Sequence, residues 1–219
     1  PFVRVFADVI AFERELAERP WGREALQEAK RMGFSDTYIA RTWKADFNDV
    51  LLFRKEQGLV TVYRIVDNAG AAQDYVPYLY SSYEGETENR ITDKKSVLVL
   101  GSGPIRIGQG VEFDYSTVHA VWAIKESGCE AIIINNNPET VSTDYTTADK
   151  LYFEPVTVED VMNVVWTEQP EGVIVSLGGQ TSINVARALH DLGVPIIGTG
   201  VEAIEQAENR DYFEALMHK

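Results

Sequence analysis

Three stretches of this chain carry the groups best suited to chemistry. Residues 101–116 read GSGPIRIGQGVEFDYS and hold Gly101, Gly103, Gly108 and Gly110, with Arg106 and Glu112 between and after them. Residues 135–145 read NNNPETVSTDY and carry Glu139, and a third stretch is Gly178-Gly179-Gln180-Thr181. Glycine lets a backbone N–H approach a phosphate or carboxylate closely, and a helix that starts there adds partial positive charge. The Gln180 carboxamide can donate as well as accept. Such a set suits a small anion or a carbonyl compound. Each stretch alone has a plainer reading. A Gly-Gly pair can merely make a turn, Arg106 can be an exposed cation, and Glu112 can be an acid favoured by the helix dipole.

The flanking pattern places these stretches. Short apolar runs at residues 96–100, 131–134 and 173–176 read as strands buried on both faces. After the first, Val111, Val118, Val121 and Trp122 recur at helical spacing, with Gly128 as the stop. Strand, glycine turn, helix, strand is a βαβ unit whose ligand edge lies at the carboxyl ends of the strands. The loops at 101–112 and 135–144 are therefore expected to face each other across one crevice, with 177–181 joining them. A dinucleotide site is disfavoured, because the third glycine of G-x-G-x-x-G falls at Arg106 and the second strand ends in Asn135 instead of an acid. A phosphate-binding P-loop fails because no Gly-Lys-Ser/Thr follows.

The whole chain reads as α/β. Residues 2–18, 21–32, a short helix capped by Ser35, and a helix from Asp46 to Gly58 make a small helical module, with Val5, Val9, Phe12 and Leu16 as one inward stripe. Residues 60–66 read as a strand. The pattern then dissolves into an aromatic loop through Thr92, with Tyr75, Tyr78, Tyr80 and Tyr83. From residue 96 onward strands and helices alternate, which predicts a Rossmann-like parallel sheet with helices on both faces. Its later members are a strand at 151–153, a helix at 158–168 capped by Thr157, a helix at 182–192, a strand at 195–197, and helical segments at 202–207 and 210–217. The expected domains are 1–88, 89–208 and 209–219.

Of the 219 residues, 34 are acidic and 20 basic, a net charge of −14. That balance disfavours nucleic acid and anionic membrane, and Arg90 with Lys94 and Lys95 is too small a basic patch to reverse it. The charges of residues 13–31, Lys30 included, read as solvated helix faces with i,i+4 pairing. No apolar run approaches the ~18–20 residues that span a bilayer. Cys129 is the only cysteine, so no intrachain disulfide forms and a reducing cytoplasm fits. His119, His190 and His218 lack ligand spacing, so no metal site is expected. Asp114 and Asp144 are a conceivable acid–base pair.

GSGPIRIGQGVEFDYS, NNNPETVSTDY, LYFEPVTVEDV and GVIVSLGGQTSINVARAL together resemble the carbamoyl-phosphate synthetase large subunit, nearly without gaps from about residue 95 to 219. Residues 21–83 show a looser likeness. The resemblance implies the later part of the oligomerisation domain, followed by the pre-ATP-grasp domain of the second, carbamoyl-phosphate-forming half and the start of an ATP-grasp domain. It implies that Glu112 and Glu139 look onto the passage that delivers carbamate. It further implies that Arg106, Gly101, Gly103, Gly108, Gly110, Gly178, Gly179, Gln180 and Thr181 form one wall of the site, with no catalytic residue of their own. The full-length enzyme of that family uses ATP with Mg or Mn, a glutaminase small subunit and other large subunits. This piece is expected to bind no nucleotide and to be inactive alone. The rival readings are a free-standing dinucleotide-binding oxidoreductase domain and a non-enzymatic oligomerisation module.

Overall fold

The computed structural model describes residues 2–67, 77–103 and 111–218. It divides into two compact units, one of residues 1–63 and 81–88, the other of residues 64–80 and 89–219.

The first unit is helical: α1 (Phe2–Glu18), α2 (Arg23–Arg31), α3 (Asp36–Trp43) and α4 (Phe47–Glu56). Two of the starts are set by side-chain caps. Ser35 Oγ accepts from Tyr38 N at 3.2 Å and Asp46 Oδ1 accepts from Asn48 N at 2.8 Å, each cap worth about 1 kcal/mol. Leu16, Leu26, Ile39 and Val50 form the core with Trp43, whose indole N–H donates to Leu16 O at 2.8 Å. The expected inward stripe of α1 holds only in part. Leu16 is buried and Val9 and Phe12 pack against the core, but Val5 is exposed, because α2 and α3 are the elements that pack on α1 and they cover its later turns. Lys30 also departs from the solvated-face reading. Its ammonium lies 3.0 Å from Asp36, which pairs with Arg54 at 2.8 Å, and all three side chains are buried.

The second unit is built on a mixed, mostly parallel sheet. Its strands are β1 (Val62–Ile65) and β2 (Tyr78–Ser82), within which the chain passes between units, then β3 (Ser96–Leu100), β4 (Glu130–Ile134), β5 (Lys150–Tyr152) and β6 (Gly172–Ile174). Between and after them run α5 (Glu112–Glu126), a 3-10 turn (Val141–Thr143), α6 (Val158–Glu168), α7 (Gly179–Ile183), α8 (Ala186–Asp191), α9 (Val201–Glu208) and α10 (Arg210–Met217). The sheet order is β1-β2-β5-β4-β3-β6, and β2/β5, β5/β4, β4/β3 and β3/β6 are parallel. Val99, Ala131, Ile133 and Leu151 pack with Val121 and Ile124 of α5 on one face. Leu98, Leu100, Ile132 and Ile134, which alternate with them, are equally buried, so the opposite face is covered too. Gly128, at φ +84°, ends α5 as its sequence position indicated.

Three expectations for this unit are corrected. The aromatic loop contains β2: Leu151 N donates to Pro77 O at 2.8 Å and Phe153 N to Leu79 O at 2.9 Å, a ladder that periodicity did not reveal. Tyr78 and Tyr80 of that strand pack on Phe153. The single helix expected at 182–192 is two, because Val185 N bonds to Ser182 O at 3.3 Å in a tightened turn between α7 and α8. Residues 195–197 contribute only one isolated bridge, Val173 to Ile196, as suits a segment whose Pro195 has no N–H to give.

Candidate functional site

Strand β3 has β4 on one side and β6 on the other. From β3 the chain passes first to β4 on one side and later to β6 on the other, so the direction of the strand order reverses at β3. In an open parallel sheet that switch point is where a ligand crevice forms.

Asn135, the residue after β4, holds the rim together and is fully buried. Its Oδ1 accepts from Gly103 N and from Asn137 N, both at 3.1 Å, and its Nδ2 donates to Ser142 Oγ at 3.4 Å. The first and second loops are thus joined by one side chain. Asp114 of α5 adds a second tie, its carboxylate accepting from Ser142 N at 3.2 and 3.3 Å. The third loop joins through contact so close that side chains are excluded. A Cβ on Gly178 would lie 2.4 Å from Gly101 O and 2.6 Å from Leu100 O. Buried Ser182 Oγ donates to Gly101 O at 3.4 Å. Gly103 and Gly179 sit at φ +67° and +64°, where glycine is favoured. A Cβ on Gly103 would stand 3.1 Å from Asn136 Oδ1 and 3.8 Å from Thr181 Cγ2. Segments carrying Gly101, Gly103, Gly178, Gly179, Gln180 and Thr181 therefore meet.

The charged candidates border these segments. Glu112 opens α5 and Glu139 lies in the second loop, both exposed. Glu139 N is tied to Asn137 Oδ1 at 3.0 Å. Gln180 Nε2 donates to Asn184 Oδ1 at 2.9 Å and to Glu208 Oε2 at 3.1 Å. Arg106, Gly108 and Gly110 lie outside the described residues. Asp114 and Asp144 are each committed to the backbone instead of to each other. Asp144 Oδ1 accepts from Thr146 Oγ1 at 2.7 Å and from Thr146 N at 2.9 Å. Those bonds favour the ionised form and hold its carboxyl below the usual range. Asn135, Ser142 and Ser182, which organise the rim, are not among the site residues that the sequence pattern singles out. The one available signal was an amide standing where a ribose-binding acid would otherwise be. Among the described residues no three His, Cys, Asp or Glu side chains gather to hold a metal ion, and no helix is long and apolar enough to cross a membrane.

Sheet, switch point and glycine rim define a Rossmann-like α/β domain of the pre-ATP-grasp class. Residues 93–206 match the family described as the carbamoyl phosphate synthase preATP-grasp domain. Residues 2–58 match the carbamoyl-phosphate synthetase large chain, oligomerisation domain. The chain belongs to the carbamoyl-phosphate synthetase large-chain family.

Proposed function

We propose that this chain supplies one wall of the site that phosphorylates carbamate in a glutamine-hydrolysing carbamoyl-phosphate synthetase. The whole enzyme makes carbamoyl phosphate from bicarbonate, glutamine-derived ammonia and two ATP, for pyrimidine and arginine synthesis in the cytoplasm. The observation that carries this reading is the meeting of three loops around Asn135 at the switch point, in a chain that belongs to this family.

Backbone N–H groups of the glycine loops, Arg106, and the Gln180 amide once it leaves Glu208 hold a small planar anion at the rim. Glu112 and Glu139 line its approach, where like charge keeps the anion from being retained before it meets the amide donors. In the reaction a carbamate oxygen attacks the γ-phosphorus of ATP, the bond to the β-phosphate oxygen breaks, and ADP leaves. ATP with Mg or Mn supplies the phosphoryl group and the charge neutralisation for that step. Among the described residues no cluster of His, Cys, Asp or Glu side chains fits a metal ion. This chain positions the acceptor and carries no catalytic group. Residues 2–58 serve association with other large subunits, and a glutaminase small subunit provides ammonia.

The test replaces Glu112 and Glu139 by Gln in the intact large subunit. Carbamoyl phosphate formation should fall by tenfold or more, about 1.4 kcal/mol of barrier, while bicarbonate-dependent ATP hydrolysis persists. Unchanged formation would refute the passage role. The 219-residue chain alone should show no carbamate-dependent ATP turnover, and clear turnover would refute the assignment of catalysis elsewhere.

A further inference from the structure

Gln180 stands at the glycine rim with its side-chain donor fully used. A carboxamide nitrogen has two hydrogens, and Gln180 Nε2 directs them to Asn184 Oδ1 at 2.9 Å and Glu208 Oε2 at 3.1 Å. An anion that takes this amide must therefore displace one of the two acceptors. Asn184 is neutral and closes the same short helix, α7, that carries Gln180. Glu208 is an anion and comes from α9, 28 positions later. Like charge makes Glu208 the acceptor that leaves.

Glu208 differs from the glutamate one turn before it. Glu205 is gripped through both oxygens by the Arg187 guanidinium of α8, a charge-assisted fork that fixes α9 on α8. Among the described residues Glu208 forms no ion pair, and the Gln180 amide is its hydrogen-bond partner. It is exposed and is the last residue of α9. It also lines a cavity of about 480 Å³ with Glu205, Asn209 and Tyr212, so it has room to swing off Gln180 without disturbing a packed neighbour. Of the two contacts, that of Glu205 is built to hold and that of Glu208 to exchange.

We propose that Glu208 is a built-in competitor for the anion at the rim: its carboxylate occupies the Gln180 amide, and an entering planar oxyanion takes its place. This rests on the reading, proposed above, that Gln180 holds the anion. A glutamate carboxylate and a carbamate present the same planar pair of oxygens to an N–H donor, so one replaces the other without new geometry at Gln180. Exchange between two acceptors of one kind keeps either from being held tightly, which suits a wall that passes its anion on.

The test runs the transfer step in reverse in the intact large subunit: a β-phosphate oxygen of ADP attacks the phosphorus of carbamoyl phosphate, carbamate leaves and ATP forms. The readout is KM for carbamoyl phosphate. Glu208→Ala should lower it about two- to fivefold, roughly the weight of one exposed hydrogen bond, and Gln180→Leu should raise it. In the Gln180→Leu background Glu208→Ala should change nothing, because the amide through which it competes is gone. A role of Glu208 in stability alone would not produce that dependence. A KM that Glu208→Ala leaves unchanged or raises, while Gln180→Leu raises it, overturns the competitor and leaves the rim reading in place. The same lowering in both backgrounds also overturns it, since the charge would then act without Gln180. Gln180→Leu without effect overturns the rim reading and the competitor together.

Discussion

The Asn135 carboxamide fills the space where a side chain at residue 101 would lie: a Cβ built on Gly101 would stand 2.6 Å from Nδ2 and 2.7 Å from Cγ. Gly101 is thus required by a neighbour and not by its backbone angles. Gly178 faces a harder obstruction, because two of its three nearest atoms are the carbonyl oxygens of Leu100 and Gly101. A side chain can rotate away and a strand carbonyl cannot. Both Gly101→Ala and Gly178→Ala should destabilise by about 1–3 kcal/mol, with Gly178→Ala the more severe. Urea denaturation of the two variants checks the order; the reverse ranking would mean that Asn135 is the more rigid obstacle.

Asn135 itself is the rim's shared acceptor. Asn135→Ala leaves Gly103 N, on a buried residue, and Asn137 N without their acceptor. An unsatisfied buried donor costs about 1–3 kcal/mol. The expected result is a loss of that order in stability, together with faster amide hydrogen exchange at Gly103 and Asn137. Exchange rates unchanged at both amides would show that other groups or water take the place of Oδ1.

How far the sequence reveals this site depends on what each residue answers to. The βαβ units around β3, β4 and β6 are legible because both faces of these strands are buried, which leaves near-continuous apolar runs, and because Gly128 marks a helix end. The glycines of the rim are visible as composition. Their partners are not, because the contacts of Gly178 with Leu100 O and of Asn135 with Gly103 N span 78 and 32 positions of chain and leave no local period. Strand β2 leaves no sequence signal for a related reason: Tyr78 to Ser82 has one buried residue, Leu79, and its remaining support comes from pairing with β5. Lys30 looks like any solvent-facing lysine of α2 until Asp36 and Arg54 are brought to it by the turn into α3 and the packing of α4.

That buried ion group has a consequence for stability. Asp36 lies between two cations, Lys30 at 3.0 Å and Arg54 at 2.8 Å, with side-chain exposures of 0%, 3% and 0%. Lys30 Nζ also donates to Phe34 O at 2.8 Å and Arg54 Nη1 to Leu59 O at 2.9 Å, so the cations are held in place by carbonyls that carry no full charge. Asp36→Ala leaves two buried positive charges without that carboxylate and should cost about 3–5 kcal/mol. Thermal unfolding followed by circular dichroism measures it. Arg54→Met, which removes a charge with its long stem largely conserved, should cost less, and equal losses would show that packing and not charge dominates.

The Asp144 carboxyl gives a pH dependence whose sign is fixed. Its largest influence is the hydrogen bond from the Thr146 hydroxyl, followed by that from Thr146 N, and both lower its pKa from the ordinary value of 3.8. A depressed folded-state value means that the contribution to stability is complete above the unfolded value and is lost as pH falls through the folded one. Thr146→Val removes the hydroxyl bond and keeps the backbone bond, so the Asp144 pKa should rise part of the way toward 3.8. Thr146→Ser keeps both bonds and should hold it low. Carboxyl ¹³C titration of Asp144 reads the shift directly. The stability difference between the Val and Ser variants should also shrink as pH is lowered below about 3.8. An Asp144 titration that is the same in both variants would show that the hydroxyl does not bond the carboxylate in solution.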